Sequence, residues 1–288
     1  MSQLPLKIKG YWRLMRFDKP IGTLLLLWPT YWALCLATKG EVPKALFIIF
    51  TLGTIIMRAA GCVINDYADR HVDGHVERTK HRPLITGDVS VLGAKILFVC
   101  LLILALLLVL QLNSFTIMLS FVALLLASFY PFMKRYTHFP QVVLGAAFSW
   151  GMMMAYGAIY GRLPLEAWFL FAANLSWTVA YDTQYAMVDR EDDLKIGVKS
   201  TAIFFGQYDV LAITVLQMIS ILMLLIVGGL THLGWIFCCA LALVSCLFIY
   251  QYQLIKTKER DKCFAAFRHN NWVGVVVFAG IAIDLYFQ

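Results

Sequence analysis

A bundle of membrane-spanning α-helices is the fold class this sequence predicts, and three observations predict it. Hydrophobic residues make up 61% of the chain and charged residues 14%, with a mean hydropathy of +0.75, whereas soluble domains carry about 25% charged residues. A soluble fold of 288 residues buries a large core but cannot hide this much apolar surface from water, so lipid must solvate part of it. Apolar runs of the length that a bilayer requires, about 20 residues per helix, recur along the chain. Lys and Arg fall on alternate sides of those runs.

The runs lie near residues 21–38, 45–64, 93–112, 114–131, 140–160, 164–186, 209–229, 232–254 and 271–287, which makes nine spans. Short breaks such as Gln111 to Ser114 and Gly228 to Leu233 imply antiparallel helical hairpins. Ahead of the first span, Lys7, Lys9, Arg13, Arg16 and Lys19 give residues 1–20 the look of an amphipathic segment. A cleavable signal peptide would show a short apolar stretch there instead. Residues 1–288 then form a single membrane-embedded domain.

Orientation follows from the basic residues. Of the 24 Lys and Arg, all but Lys39, Lys44, Arg58 and Arg162 fall in the N-terminal segment or after the second, fourth, sixth and eighth spans. Basic residues collect on the cytoplasmic side. The N-terminus is therefore expected inside, the C-terminus on the opposite side, and an odd number of helices between.

Other chemistries are excluded by pattern. The net charge of +7 could suggest nucleic acid, but the basic residues are scattered among apolar spans, with no basic tail or stripe. The seven cysteines show no CxxC pair, and six sit inside apolar spans, as small core hydrophobes do. No P-loop, GxGxxG or Ser/His/Asp arrangement is present.

Two acidic clusters stand where acids are expensive. The second span runs into NDYADRHVD (Asn65 to Asp73) and the sixth into DTQYAMVDREDD (Asp182 to Asp193). Ionisable groups at membrane depth cost a few kcal/mol or more and mark functional cavities. At 100° per residue, Asn65, Asp69 and Asp73 share one helix face, and so do Asp182, Asp189 and Asp193, with Tyr185 beside them. Carboxylates four residues apart repel one another unless a cation lies between them. Two such faces opposed across a cavity offer hard oxygen ligands suited to Mg²⁺, which takes one or two carboxylates and completes its shell with water and phosphate oxygens. A single cluster would read as ordinary solvated helix-end acids; two with matching spacing on one membrane side do not.

Basic residues accompany the acids: Arg78, Lys80 and Arg82 after the first cluster, Lys195 and Lys199 after the second, and Lys134 with Arg135 at the end of the fourth span. Metal plus Arg or Lys neutralises a departing diphosphate, although the positive-inside rule alone also places basic residues there. Arg58 is different. It lies two helical turns before Asn65 on nearly the same face, deep in an apolar span. A buried guanidinium wants a carboxylate or phosphate, which leaves an internal aspartate or an anionic substrate group as its partner.

These motifs resemble those of the UbiA superfamily of intramembrane prenyltransferases, NDxxDxxxD and DxxYAxxDxxxD. Three segments carry the resemblance: RFDKPIGTLLLLWPTYWAL, CVINDYADRHVDGHVERTKHRPL and YDTQYAMVDREDDLKIGVKSTAIFFG, roughly a quarter of the chain. It is nearest to the branch that prenylates 4-hydroxybenzoate in ubiquinone synthesis. What it implies is an all-α, nine-helix bundle around a central cavity with cytoplasmic cap loops, in a bacterial inner membrane. It also implies Mg²⁺ as cofactor and polyprenyl diphosphate and 4-hydroxybenzoate as partners, with no nucleic acid and no obligatory protein partner. By resemblance, Asn65, Asp66, Asp69, Asp73, Asp182, Asp189 and Asp193 form the metal set. Asp69, Asp73, Asp189, Asp193 and Arg135 are the expected catalytic residues. Asn65, Arg78, Lys134, Tyr185 and Lys199 contact substrate, and Arg58 holds the aromatic acid's carboxylate. The implied reaction ionises the donor to an allylic cation, which the ring attacks through the carbon ortho to its hydroxyl. A dry pocket with polarisable walls protects such a cation, and Met152, Met153, Met154 and the abundant aromatics are candidates for those walls.

Three other readings are weaker. An ion-coupled transporter would hold its acids at the midplane, whereas both clusters here sit at one face. A UbiA-type enzyme with another acceptor (homogentisate, dihydroxynaphthoate or haem) stays within the same chemistry. A CDP-alcohol phosphotransferase lacks its DGxxAR pattern, because Asp73-Gly74 is followed by HVER.

Overall fold

A computed structural model of the chain describes residues 6–71, 74 and 79–288, the side chains of Leu6, Lys7 and Ile196 excepted. Among the described residues the regular structure is entirely helical. The helices are α1 (Leu6–Leu14), α2 (Ile21–Ala37), α3 (Lys44–Asp69), α4 (Pro83–Thr86), α5 (Val91–Val109), α6 (Ser114–Tyr136), α7 (Pro140–Tyr160), α8 (Leu165–Ile196), α9 (Thr201–Phe205), α10 (Asp209–Leu230), α11 (Trp235–Ile255) and α12 (Arg260–Tyr286). Each of the apolar runs seen in the sequence lies on one of the long helices. Six segments are both long and apolar enough to cross a membrane: Lys44–Asp69, Val91–Val109, Ser114–Tyr136, Pro140–Tyr160, Thr201–Leu230 and Trp235–Ile255. Of the other three long helices, α2 has only 17 residues, while α8 and α12 carry clusters of acidic and basic side chains.

The helix ends follow from local chemistry. Ser90 and Asn113 cap α5 and α6 by accepting from the backbone N–H of Gly93 and Thr116, the usual role of a short polar side chain at that position. Asn113 also donates to the Gly157 carbonyl at 2.9 Å, tying the α5–α6 turn to the end of α7. Helix α8 ends at Gly197, whose φ of 71° suits a glycine and whose N–H returns to the Asp193 carbonyl.

Two helices run well past the apolar stretches that announced them. Helix α3 continues to Asp69 and α8 to Ile196. Apolarity marks only the part of a helix that meets lipid; the extra turns here carry polar side chains that face an internal cavity. The first five residues of the first acidic motif, Asn65 to Asp69, and all of the second are therefore helical rather than looped.

Helix α8 is the hub of the bundle and packs against α2, α7, α9, α10 and α12, while α2, α3, α6 and α7 close the other side. Its centre is aromatic: Trp32 stacks on Trp177 with ring centroids 5.3 Å apart, and both are buried. A polar ladder crosses this core. Trp177 Nε1 donates to Asn270 at 2.8 Å, Asn270 to Gln184 at 2.9 Å, and Gln217 to Gln251 at 2.8 Å, joining α8, α10, α11 and α12. In lipid the hydrophobic effect supplies little attraction between helices, so such bonds and close packing hold them together. The opposite extreme is α5, apolar on every side, with only Ala94, Leu101 and Val109 buried; this is the surface expected of a helix solvated by lipid.

Candidate active site

A cavity of about 1850 Å³ runs inside the bundle, from the acidic residues at the ends of α3 and α8 to Phe50 on α3 and Leu112 beyond α5. Its polar end gathers Asn65, Asp66 and Asp69 from α3, Lys134 from α6, Asp182, Tyr185, Asp189 and Asp193 from α8, and Lys199. Residues more than 100 positions apart thus meet because α3 and α8 both carry their acids past the apolar stretch. Asp73 and Arg78 lie outside the described residues.

The acids differ sharply in their surroundings. Asp69 is 1% exposed; its Oδ2 accepts from Lys134, while its Oδ1 is buried with no hydrogen-bond partner. Asp66 is also 1% exposed, but Arg16 Nη2 reaches both of its oxygens at 2.8 and 2.9 Å and Arg82 Nη1 lies 3.0 Å away. Two guanidinium groups therefore satisfy Asp66, and it has little left to offer a cation. Asp189 is buried and Asp182 and Asp193 are half-buried on the cavity wall.

The basic residues divide in the same way. Lys134 and Lys199 both line the cavity, and the Lys199 N–H donates to the Lys134 carbonyl at 3.1 Å, which locks the two positions together. Arg135, expected among the catalytic groups, is exposed and donates to the Ala68 carbonyl at 2.7 Å. It buttresses the end of α3 from outside the cavity, because adjacent positions on α6 point about 100° apart.

The second motif is anchored from behind. Asp209, fully buried at the start of α10, pairs with Arg190 and, at 2.8 Å, with Lys258. Arg260 adds contacts to Glu191 at 3.0 Å and Asp192 at 3.5 Å. The turn between α11 and α12 is thereby clipped to the helix that bears Asp189 and Asp193.

Whether these residues suit Mg²⁺ is a question of donors. Among the described residues no three His, Cys, Asp or Glu side chains converge on one point. The donors are nonetheless hard oxygens on facing helices, and the orphaned Oδ1 of Asp69 is a buried charge-bearing atom that a cation would satisfy. The set fits.

Deeper in the cavity lies Arg58, about 10 Å along the α3 axis from Asn65 by helical rise. Its Nε is buried without a hydrogen-bond partner, and among the described residues it forms no ion pair. Cys62, Tyr130, Tyr181 and Tyr185 line the cavity with it, and the centroid of the Phe148 ring lies 6.0 Å from its Cζ. Among the described residues no aspartate pairs with it, and the sequence's other alternative is an anionic substrate group. Tyr130 lines the cavity together with Arg58, Asp69 and Asp182, so guanidinium and acids share one compartment. Of the three methionines, Met152 and Met153 are fully buried in the core, and Met154 reaches the cavity.

Sequence reasoning missed Arg16, Tyr130 and Asp209. Arg16 and Asp209 bear on the site through partners 50 and 19 positions away, which no local pattern announces. Tyr130 resembles any other aromatic in an apolar span.

Known proteins agree with this architecture. The UbiA prenyltransferase family pattern matches residues 26–273. A 4-hydroxybenzoate octaprenyltransferase of Chromohalobacter salexigens is 57% identical over 280 residues, covering 97% of this chain and 94% of its own. One from Haemophilus ducreyi is 59% identical over 276 residues, covering 95% of this chain and 99% of its own. Among solved structures, a UbiA homologue from Aeropyrum pernix in its apo form gives a TM-score of 0.81 at 24% identity, over 91% of this chain and 98% of that one. A UbiA homologue from Archaeoglobus fulgidus bound to GPP and Mg²⁺ gives 0.66 at 19% identity, over 95% and 99%. The fold is shared with these structures, and the full-length identity to the relatives fixes the lineage: the chain belongs to the UbiA prenyltransferase family.

Proposed function

We propose that this chain transfers a polyprenyl group from polyprenyl diphosphate to the carbon ortho to the hydroxyl of 4-hydroxybenzoate, releasing diphosphate, as a step of ubiquinone synthesis. The relatives' names, at 57–59% identity over nearly the whole chain, support the substrates. The observation that carries the reading is one cavity with carboxylates and lysines at its mouth and, within, a guanidinium that forms no ion pair among the described residues. A diphosphate at the mouth and an aromatic carboxylate at Arg58 would leave the donor's allylic carbon facing the ring.

Asn65, Asp69 and Asp73 on one side and Asp189 and Asp193 on the other would hold Mg²⁺, which when bound supplies charge neutralisation to the departing diphosphate. Asp182, half-buried on the same wall, completes the acidic face. Asp66, held by Arg16 and Arg82, presents those guanidinium groups to the cavity mouth rather than binding metal itself. Lys134, Lys199 and Arg78 draw negative charge away from the breaking carbon–oxygen bond. Arg58 binds the acceptor's carboxylate through a charge-assisted pair and orients the ring so that its ortho carbon meets the allylic cation. Tyr130, Tyr181, Tyr185 and Phe148 line that compartment and keep water from the cation. The apolar remainder of the cavity takes the prenyl tail. All nine long helices span the inner membrane, with the N-terminus and the acidic motifs cytoplasmic.

The test is product formation in detergent from 4-hydroxybenzoate and prenyl diphosphates of several lengths, with and without Mg²⁺. Prenylated product that requires Mg²⁺ is expected. No product with any donor, or equal product with and without Mg²⁺, would sink the reading; solute flux across sealed vesicles without chemistry would favour a transporter.

A further inference from the structure

We infer that Gly22 is a positioning residue for Arg58, and that its missing side chain sets where the acceptor's carboxylate is bound. The inference rests on the proposed role of Arg58. Gly22 is the second residue of α2, buried, and lines the same cavity as Arg58. A Cβ built on it would stand 2.9 Å from both Cζ and Nε of Arg58, and closer still to Nη2. Real Cβ atoms do not approach other heavy atoms so closely, so the guanidinium occupies the volume a side chain at position 22 would need. Without that empty space, the guanidinium could not lie flush against α2.

The consequence is selective. The atoms that an added methyl group would strike belong to the far end of a flexible side chain, not to backbone. Gly22→Ala therefore moves the guanidinium and leaves the helices where they are. Arg58 Nε has no hydrogen-bond partner to hold it in place, so the group yields by swinging within the cavity. A charge-assisted pair to a carboxylate depends on distance and on the planar fork of the guanidinium. Displacing that fork weakens acceptor binding and leaves the diphosphate end untouched.

The experiment compares wild type, Gly22→Ala, Arg58→Ala and the double variant by steady-state kinetics, varying 4-hydroxybenzoate and the prenyl diphosphate separately. Gly22→Ala is expected to raise the KM for 4-hydroxybenzoate about tenfold or more, the scale of a lost charged hydrogen bond. The KM for the donor should stay within about twofold. The preference for 4-hydroxybenzoate over its neutral isostere 4-hydroxybenzamide should shrink in parallel. In the Arg58→Ala background, adding Gly22→Ala should leave the acceptor KM unchanged, because the group it acts through is gone. If Arg58→Ala raises the acceptor KM but Gly22→Ala does not, the inference about Gly22 is overturned and the role of Arg58 stands. If Arg58→Ala itself has no effect on that KM, the acceptor-site reading fails and takes the inference with it. A Gly22→Ala protein that does not fold would also overturn it, since the guanidinium would not be the part that yields.

Discussion

Asp66 and Asp69 sit one turn apart on α3 and do opposite things. Asp66 meets Arg16 and Arg82, and its charge is spent inside the protein. Asp69 meets Lys134 with one oxygen and keeps the other buried and unpaired. A carboxylate with a spare oxygen, lining the same cavity as the acids of α8, is the one suited to a cation. Asp69→Asn should therefore raise the Mg²⁺ concentration needed for half-maximal turnover at least about tenfold. Asp66→Asn should leave that concentration within about twofold and instead destabilise the fold by about 2 kcal/mol. That figure is below the usual cost of breaking a buried pair because both arginines keep some access to solvent. A Mg²⁺ titration of activity and a thermal melt on each variant separate the two roles; equal Mg²⁺ curves for Asp69→Asn and wild type would remove Asp69 from the metal site. Helical spacing made much of this legible: the residues it placed on shared faces, Asn65 with Asp69 and Asp182 with Asp189 and Asp193, do line one cavity. The fate of Asp66 was not legible, because its first partner is Arg16, 50 positions earlier.

At the scale of elements, α8 determines where half of the acids lie, and its position depends on Asp209. This carboxylate, with no exposed surface, is held by Arg190 from α8 and Lys258 from the turn before α12. Lys258 also donates to the carbonyls of Gly206 and Gln207, so the α9–α10 junction joins the same knot. Asp209→Ala removes the centre of that knot and leaves two cations without their common anion. A stability loss of about 2–3 kcal/mol is expected, the low end of a broken buried pair because both cations are partly exposed. Turnover should fall further than stability alone accounts for, since Asp189 and Asp193 flank Arg190 on the same helix, and Asp209→Glu should restore part of it. An unchanged melting temperature would show that the knot does not hold α8. The long helices themselves were readable from apolar runs, but their ends were not. Hydropathy stops at the lipid boundary, whereas α3 and α8 continue until capping and turn chemistry ends them.

For the molecule as a whole, the cavity and the charge pattern point the same way across the membrane. The acids, the lysines and the cluster around Asp209 all gather at one end of the bundle, and almost all Lys and Arg of the chain flank that end. The proposed Mg²⁺ and aromatic acid would both be water-soluble and drawn from the cytoplasm, so a cytoplasmic mouth would suit both that chemistry and the positive-inside rule. In the proposed orientation, Glu41 and Arg162 face outside, and Lys195, at the end of α8, and Glu259 face inside. All four positions are exposed, so a cysteine placed at any of them can be labelled. Background is expected to be low. Of the native cysteines, Cys35, Cys62 and Cys263 are buried, while Cys100, Cys238, Cys239 and Cys246 face outward from the apolar helices α5 and α11. Thiols in lipid rarely ionise, and the thiolate is the reactive form. With a membrane-impermeant maleimide on intact spheroplasts, Glu41→Cys and Arg162→Cys should label at once, and Lys195→Cys and Glu259→Cys only after permeabilisation. Labelling of Lys195→Cys from outside would invert the topology and place the acidic cavity on the wrong side for its substrates.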